Sequence, residues 1–208
     1  MSARLLSDIR ASVRDILRDE FVEGVDIEWE SDELDRLISI TLREVEQRIP
    51  YEVKATTLDD ATDIETTANS KEIDISGIAD IIRVVKAEYR TGKNPKQFRN
   101  VTVFGDTLTF DMNILPSSAE AVYLYLHKKH TLTDATSTLK PDAEAVLVQG
   151  VVARAAMNKG REQLNALNVG GVNVGPRMVE WGREQLALYR RELKRNTKIQ
   201  VYEALPKD

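Results

Sequence analysis

The stretch that most constrains this chain is Ala143–Met157, AEAVLVQGVVARAAM, in which only Glu144, Gln149 and Arg154 are polar. At about 100° per residue these three point in three different directions, so a helix here has no wet face. A helix apolar all round is either enclosed by protein or spans a membrane. The polar interruptions leave the run well short of the roughly 20 apolar residues that a span needs. Protein must therefore cover it on every side. The expectation is that one copy of the chain cannot do this alone, which places Val146, Gly150, Val151 and Ala153 at contacts between copies. Gly150 in mid-helix costs about 1 kcal/mol against alanine, which makes sense where another backbone passes close. Pro141 suits the first turn, with Asp142 and Glu144 at the positive end of the helix dipole, and Gly160 is placed to stop the helix.

A chain of 208 residues can build one good-sized core, or a core plus a subdomain. Its net charge of −5 argues against a protein whose main task is gripping nucleic-acid phosphates. The absence of cysteine excludes disulfides, thiolate metal sites and thiol catalysis. The opening MSARLLSDIR carries early charges and no long apolar core, unlike a secretory signal.

Taken in order, residues 3–20 predict a first helix with Leu5, Leu6, Ile9, Val13, Ile16 and Leu17 on one stripe. Arg10, Arg14 and Arg18 form a second stripe, either solvated or docked on an acidic neighbour, with Asp15 and Asp19 near enough to balance it. From Asp19 to Asp35 there are nine acids and no base, with Trp29 as an anchor for packing on the helices. Ser31 is read as the cap of a second helix that ends at Pro50, with Leu34, Leu37, Ile38, Thr41, Leu42, Val45 and Ile49 facing inward. Residues 51–139 lose helical spacing and gain Thr, Val, Ile, Phe and Tyr. Strands are expected at Ile81–Tyr89 and Ala121–Leu126, the latter setting Tyr123 and Tyr125 on one face, with a hairpin joining Val101–Phe104 to Thr107–Phe110 through Gly105-Asp106. Residues 56–72 are polar and read as a loop or arm. A glycine-containing loop at 169–176 lacks the spacing of a phosphate loop. It leads into a fourth helix from Pro176 to about Thr197, whose C-terminal half is basic.

No residue set points to a reaction. His127 and His130 lack a nearby acidic ligand and read as a surface turn. No nucleophile-elbow or zinc-protease pattern is present, and no cofactor is expected. The carboxylates of 19–35 and 56–72 match no calcium loop and read as solvated acid.

The order is helix, acidic link with Trp29, helix opening on Asp32-Glu33-Leu34 and closing at Pro50, β insert, Pro141 with its Ala/Val-rich run, glycine loop, basic helix and tail. It resembles the head–tail adaptor (connector) proteins of tailed bacteriophages. The resemblance implies a non-enzymatic virion protein of the neck, assembled in the host cytoplasm. It implies a homo-oligomeric, dodecameric ring beneath the portal protein, with tail or nozzle proteins below, DNA passing as cargo and no membrane. The fold expected is α+β: an antiparallel four-helix bundle (1–50 and 140–198) with a small antiparallel β subdomain (51–139) inserted between helices two and three, and a C-terminal arm (199–208). The basic helix and tail, with Arg190, Arg191, Lys194, Arg195, Lys198, Ile199, Val201, Tyr202 and Leu205, are expected to dock on the portal, and Arg10, Arg14 and Arg18 to join the subunit interface. Two alternatives stand beside this: a nucleic-acid-binding module using the basic helix, and another neck or tail-completion protein.

Overall fold

A computed structural model describes residues 4–17, 29–56, 72–111, 121–165 and 174–197. They divide into two compact units, one from the chain up to Ile49 and from His130 onward, the other from Pro50–Lys129. Arg18, Lys198, Ile199, Val201, Tyr202 and Leu205 lie outside the described residues, as do most of the acidic link, the 56–72 loop and the C-terminal arm.

The first unit holds four helices: α1 (Leu6–Leu17), α2 (Ser31–Arg48), α3 (Pro141–Asn165) and α4 (Val174–Asn196). In α1 the Asp8 carboxylate reaches back to the Leu5 N–H at 2.8 Å, which satisfies a donor that the helix itself leaves open. Ser31 does not cap α2. It is the first helical residue, Glu30 precedes it without a side-chain capping bond, and the Ser31 hydroxyl instead accepts from Arg14 at 3.0 Å. Trp29 is 1% exposed and joins the core of this unit.

α3 is central, and α1, α2 and α4 all pack against it. Ala143, Val146, Leu147, Val151, Val152, Ala153, Ala155 and Ala156 are buried within this one chain. Two of the three polar residues meet ion-pair partners: Glu144 lies 3.0 Å from Arg4, and Arg154 lies 2.7 Å from Glu44. Gln149 lines an open groove. The expectation that neighbouring copies must shelter this helix is therefore corrected. Its small side chains make α3 narrow, so three helices of the same chain can close on it from three sides. Close approach continues along the helix: a Cβ on Gly160 would stand 2.8 Å from the Gly175 carbonyl oxygen, so Gly160 admits the start of α4 rather than ending α3.

The second unit is two antiparallel sheets. One has the order β1-β7-β3-β4, from Tyr51–Thr56 (β1), Val122–Lys128 (β7), Ile81–Tyr89 (β3) and Phe98–Arg99 (β4). The other has the order β2-β6-β5, from Glu72–Asp74 (β2), Thr107–Phe110 (β6) and Val101–Phe104 (β5). Alternation sends Ala55, Leu124, Leu126, Ala87 and Tyr89 to one face of the first sheet, where they share a core with Ile73, Leu108 and Phe110 of the second.

This overturns the expected four-helix bundle with a small β appendage. The described chain is about 51% helix and 24% strand, with seven strands in two sheets. The helices are not arranged as a bundle either, because α4 runs along α3 and meets α2 only slightly. Three strands escaped the sequence reading because β2 and β4 are too short for a period to register and β1 follows Pro50 immediately.

Candidate functional site

The basic half of α4 is the first candidate surface. Tyr189 is turned inward at 1% exposure, whereas Arg183, Arg190, Arg191, Lys194 and Arg195 are exposed. Arg183, Arg190 and Lys194 are spaced seven and four apart, so they line one strip of the helix. Arg195 sits 3.2 Å from Glu192 on its own helix, an exposed pair that stabilises little. The strip therefore presents its positive charge to solvent.

The α1 arginines are used at home. Arg10 lies 2.6 Å from Asp35 and 3.1 Å from Asp134, and Arg14 donates to the Trp29 carbonyl at 3.2 Å. Among the described residues Arg10 thus pairs across the fold rather than with Asp15. Arg10 and Arg14 tie α1 to α2 and to the segment before α3, leaving little of either for a second copy. The same correction applies to Val146, Val151 and Ala153, at 3%, 0% and 0% exposure. Gly150 faces its own chain too: an added Cβ would stand 2.6 Å from the Thr41 methyl and 2.7 Å from the Tyr189 ring.

Gly150 is the floor of a polar cluster joining three helices. Arg154 donates to the Thr41 hydroxyl at 2.9 Å, and Thr41 donates to the Leu37 carbonyl at 2.7 Å. Tyr189 donates to Glu44 at 3.1 Å. Burial, reinforced by the Glu44 charge, pushes the Tyr189 hydroxyl up to about 12. Arg154 carries an ion pair, hydrogen bonds and a cation–π contact 5.3 Å from the Tyr189 ring. With every member engaged, this cluster locks helices together and offers no open position for a substrate.

Along α1, α3 and α4 runs an open groove of about 570 Å3, lined by Ile16, Val148 and Val152 with Arg4, Glu144 and Gln185 among its polar residues. Ile16 is 49% exposed there.

The surface that the sequence reading missed is the outer face of the four-stranded sheet. Lys54, Tyr125 and Lys86 sit side by side across β1, β7 and β3, with Tyr123, Glu88 and Phe98 in the adjoining row. The Lys54 ammonium lies 3.4 Å from the Tyr123 ring centroid, and that of Lys86 lies 3.8 Å from Phe98. Lys96 stands 3.8 Å from Glu88, which is 3% exposed and accepts from the Tyr125 hydroxyl at 2.7 Å. Desolvation and the Glu88 hydrogen bond raise the Tyr125 hydroxyl above its ordinary value. Alternation had already put Tyr123 and Tyr125 on one face. The lysines come from other strands and from the turn before β4, so only pairing brings them together.

The histidines are not on a surface turn. His127 and His130 are 5% and 8% exposed. A carbonyl can only accept, so His130 donates through Nε2 to Ile49 at 2.7 Å and meets Thr138 through Nδ1 at 3.2 Å. Among the described residues no group of three or more His, Cys, Asp or Glu could hold a metal ion. No helix among them is long and apolar enough to cross a membrane. No family model matches the chain, and no curated protein matches it.

Proposed function

We propose that the chain is a non-enzymatic structural subunit of the virion neck of a tailed phage, forming a ring between portal and tail, assembled in the host cytoplasm, with DNA passing as cargo. The observation that supports this best is how the chain is threaded. Two helices lead into an inserted β unit, and the chain returns through the Ala/Val-rich α3 to a last helix whose cationic strip faces solvent. That is the element order of the adaptor resemblance. The polar groups in the helical core are engaged with one another rather than arranged around a substrate space.

In this reading the α4 strip docks the chain on the portal and the tail beyond it completes the contact. The test is the mass of the purified protein alone and mixed with portal. Charge reversal at Arg190, Arg191 and Lys194 to Glu should weaken portal binding at least tenfold, and deletion of Thr197–Asp208 should abolish it. Wild-type binding by both variants sinks the docking assignment. Failure of the intact chain to bind any portal or to form rings sinks the neck reading. The same strip favours one alternative, a nucleic-acid contact, which would show as affinity for oligonucleotides falling steeply with salt.

A further inference from the structure

We propose that the lysine-bearing outer face of the four-stranded sheet receives the acidic start of α2 from a second copy of this chain, in a head-to-tail contact. This rests on the ring reading and deepens it. On the sheet face, strand pairing gathers the cations Lys54, Arg83 and Lys86, with Lys96 beside them, against the carboxylates Glu52 and Glu88. Four positive charges against two negative leave a surplus of two. Glu88 is buried and held by Tyr125 and Lys96, so it neutralises little more. Among the described residues Lys54 and Lys86 have ring contacts and no ion pair. A cation–π contact at an exposed site is weak and leaves the charge in place.

The opposite surplus lies at the start of α2. Glu30, Asp32 and Glu33 stand there with Glu162 of α3 close enough to act on Glu33, and the nearby cations are Lys159, Arg36 and Arg14, the last donating to the Trp29 carbonyl and the Ser31 hydroxyl. Four negative charges against three positive leave a surplus of one. Burial first, and then the Glu162 charge, push the Glu33 carboxyl above its ordinary value. Two different patches of opposite charge on each copy make a heterologous contact, and repeating such a contact closes a ring or extends a filament. Nucleic acid is the weaker fit. Strand-tolerant binding needs aromatic faces open to bases, and here lysine ammoniums cap Tyr123 and Phe98.

The test uses the full chain in two variants, Lys54→Glu/Lys86→Glu and Asp32→Lys/Glu33→Lys, with circular dichroism as a check on folding. Each variant alone should self-associate at least tenfold more weakly than wild type, because like charges then face each other. Mixed together they should regain assembly, because the altered sheet face of one variant complements the altered α2 start of the other, and the native patches complement each other at the alternate contact. A Lys54→Gln/Lys86→Gln variant should lie between. Wild-type assembly by either charge-reversed variant, or no recovery on mixing, overturns the inference while the ring reading stands. Loss of oligonucleotide binding in the lysine variant with assembly unchanged gives the face to nucleic acid instead. A wild-type chain that stays monomeric at every concentration and with portal present removes both.

Discussion

Replacing Gly150 by alanine tests the packing of α3 directly, because two effects of opposite sign compete. Alanine in mid-helix gains about 1 kcal/mol over glycine. Against this, the new Cβ would stand 2.6 Å from the Thr41 methyl and 2.7 and 2.9 Å from two Tyr189 ring carbons. Neither neighbour can yield cheaply. Thr41 is 0% exposed and bonded to the Leu37 carbonyl, and Tyr189 is 1% exposed and bonded to Glu44. Overpacking of this kind costs about 1–3 kcal/mol, and displacing a hydrogen bond made to a charged group adds about 1.5–3 kcal/mol. The expected net is a loss of about 1.5–5 kcal/mol. Urea unfolding followed by tryptophan fluorescence suits the measurement, since Trp29 and Trp181 both belong to the helical unit. Thr41→Ser removes the 2.6 Å clash and keeps the hydroxyl, so Gly150→Ala should cost about 1 kcal/mol less in that background. If Gly150→Ala proved neutral or stabilising, α2 and α4 would not close on α3 at the distances given, and the self-sheltering of this helix would be wrong.

Two further outcomes follow from the same core. Tyr189 is held neutral up to about pH 12 when folded and titrates near 10 when unfolded. The unfolded chain therefore loses this proton first, so the stabilisation is present in full below about pH 10 and is lost as pH rises towards 12. Stability measured from pH 9 to 12 should fall by about 1–3 kcal/mol more in wild type than in Tyr189→Phe, and parallel curves would refute the assignment. Val151→Asp puts an unpaired charge where exposure is 0%, a cost of several kcal/mol. The helical unit should unfold, read as lost helical circular dichroism, and a soluble variant with unchanged Tm would contradict the burial.

Helices were the legible part of this chain. The inward stripes of α1 and α2, the Trp29 anchor and the hairpin turning on Gly105-Asp106 all follow from periods and turn chemistry that act within a few residues. Strands as short as β2 and β4 carry no period of their own. They exist because a neighbour supplies their hydrogen bonds, as Ile73 pairs with Leu108 and Glu88 with Phe98. The candidate surfaces divide in the same way. The α4 strip is local, so its spacing could be read along the chain. The lysine face needed the register that brings Lys54, Tyr125 and Lys86 together from three strands. Partners were the hardest to foresee: Arg10 meets Asp35 and Asp134 across the fold, although Asp15 lies nearer in sequence.

The sheltering of α3 within one chain changes what an assembly of this protein can be made from. A contact between copies built on Val146, Val151 and Ala153 would have been apolar, largely indifferent to salt and inseparable from folding. Those residues are taken up inside the subunit. What remains for a partner includes three charged patches: the α4 strip, the lysine face and the acidic start of α2. Contacts between exposed charges weaken as the screening length falls from about 10 Å at 0.1 M salt to about 3 Å at 1 M. They also contribute little singly, so a stable ring needs several at once or the help of an apolar anchor. The groove beside Ile16 offers one, and Phe104 on β5, 90% exposed, offers another. On the neck reading, the described helical core can form before any assembly, because it asks nothing of its neighbours and the charged patches cost little to leave in water.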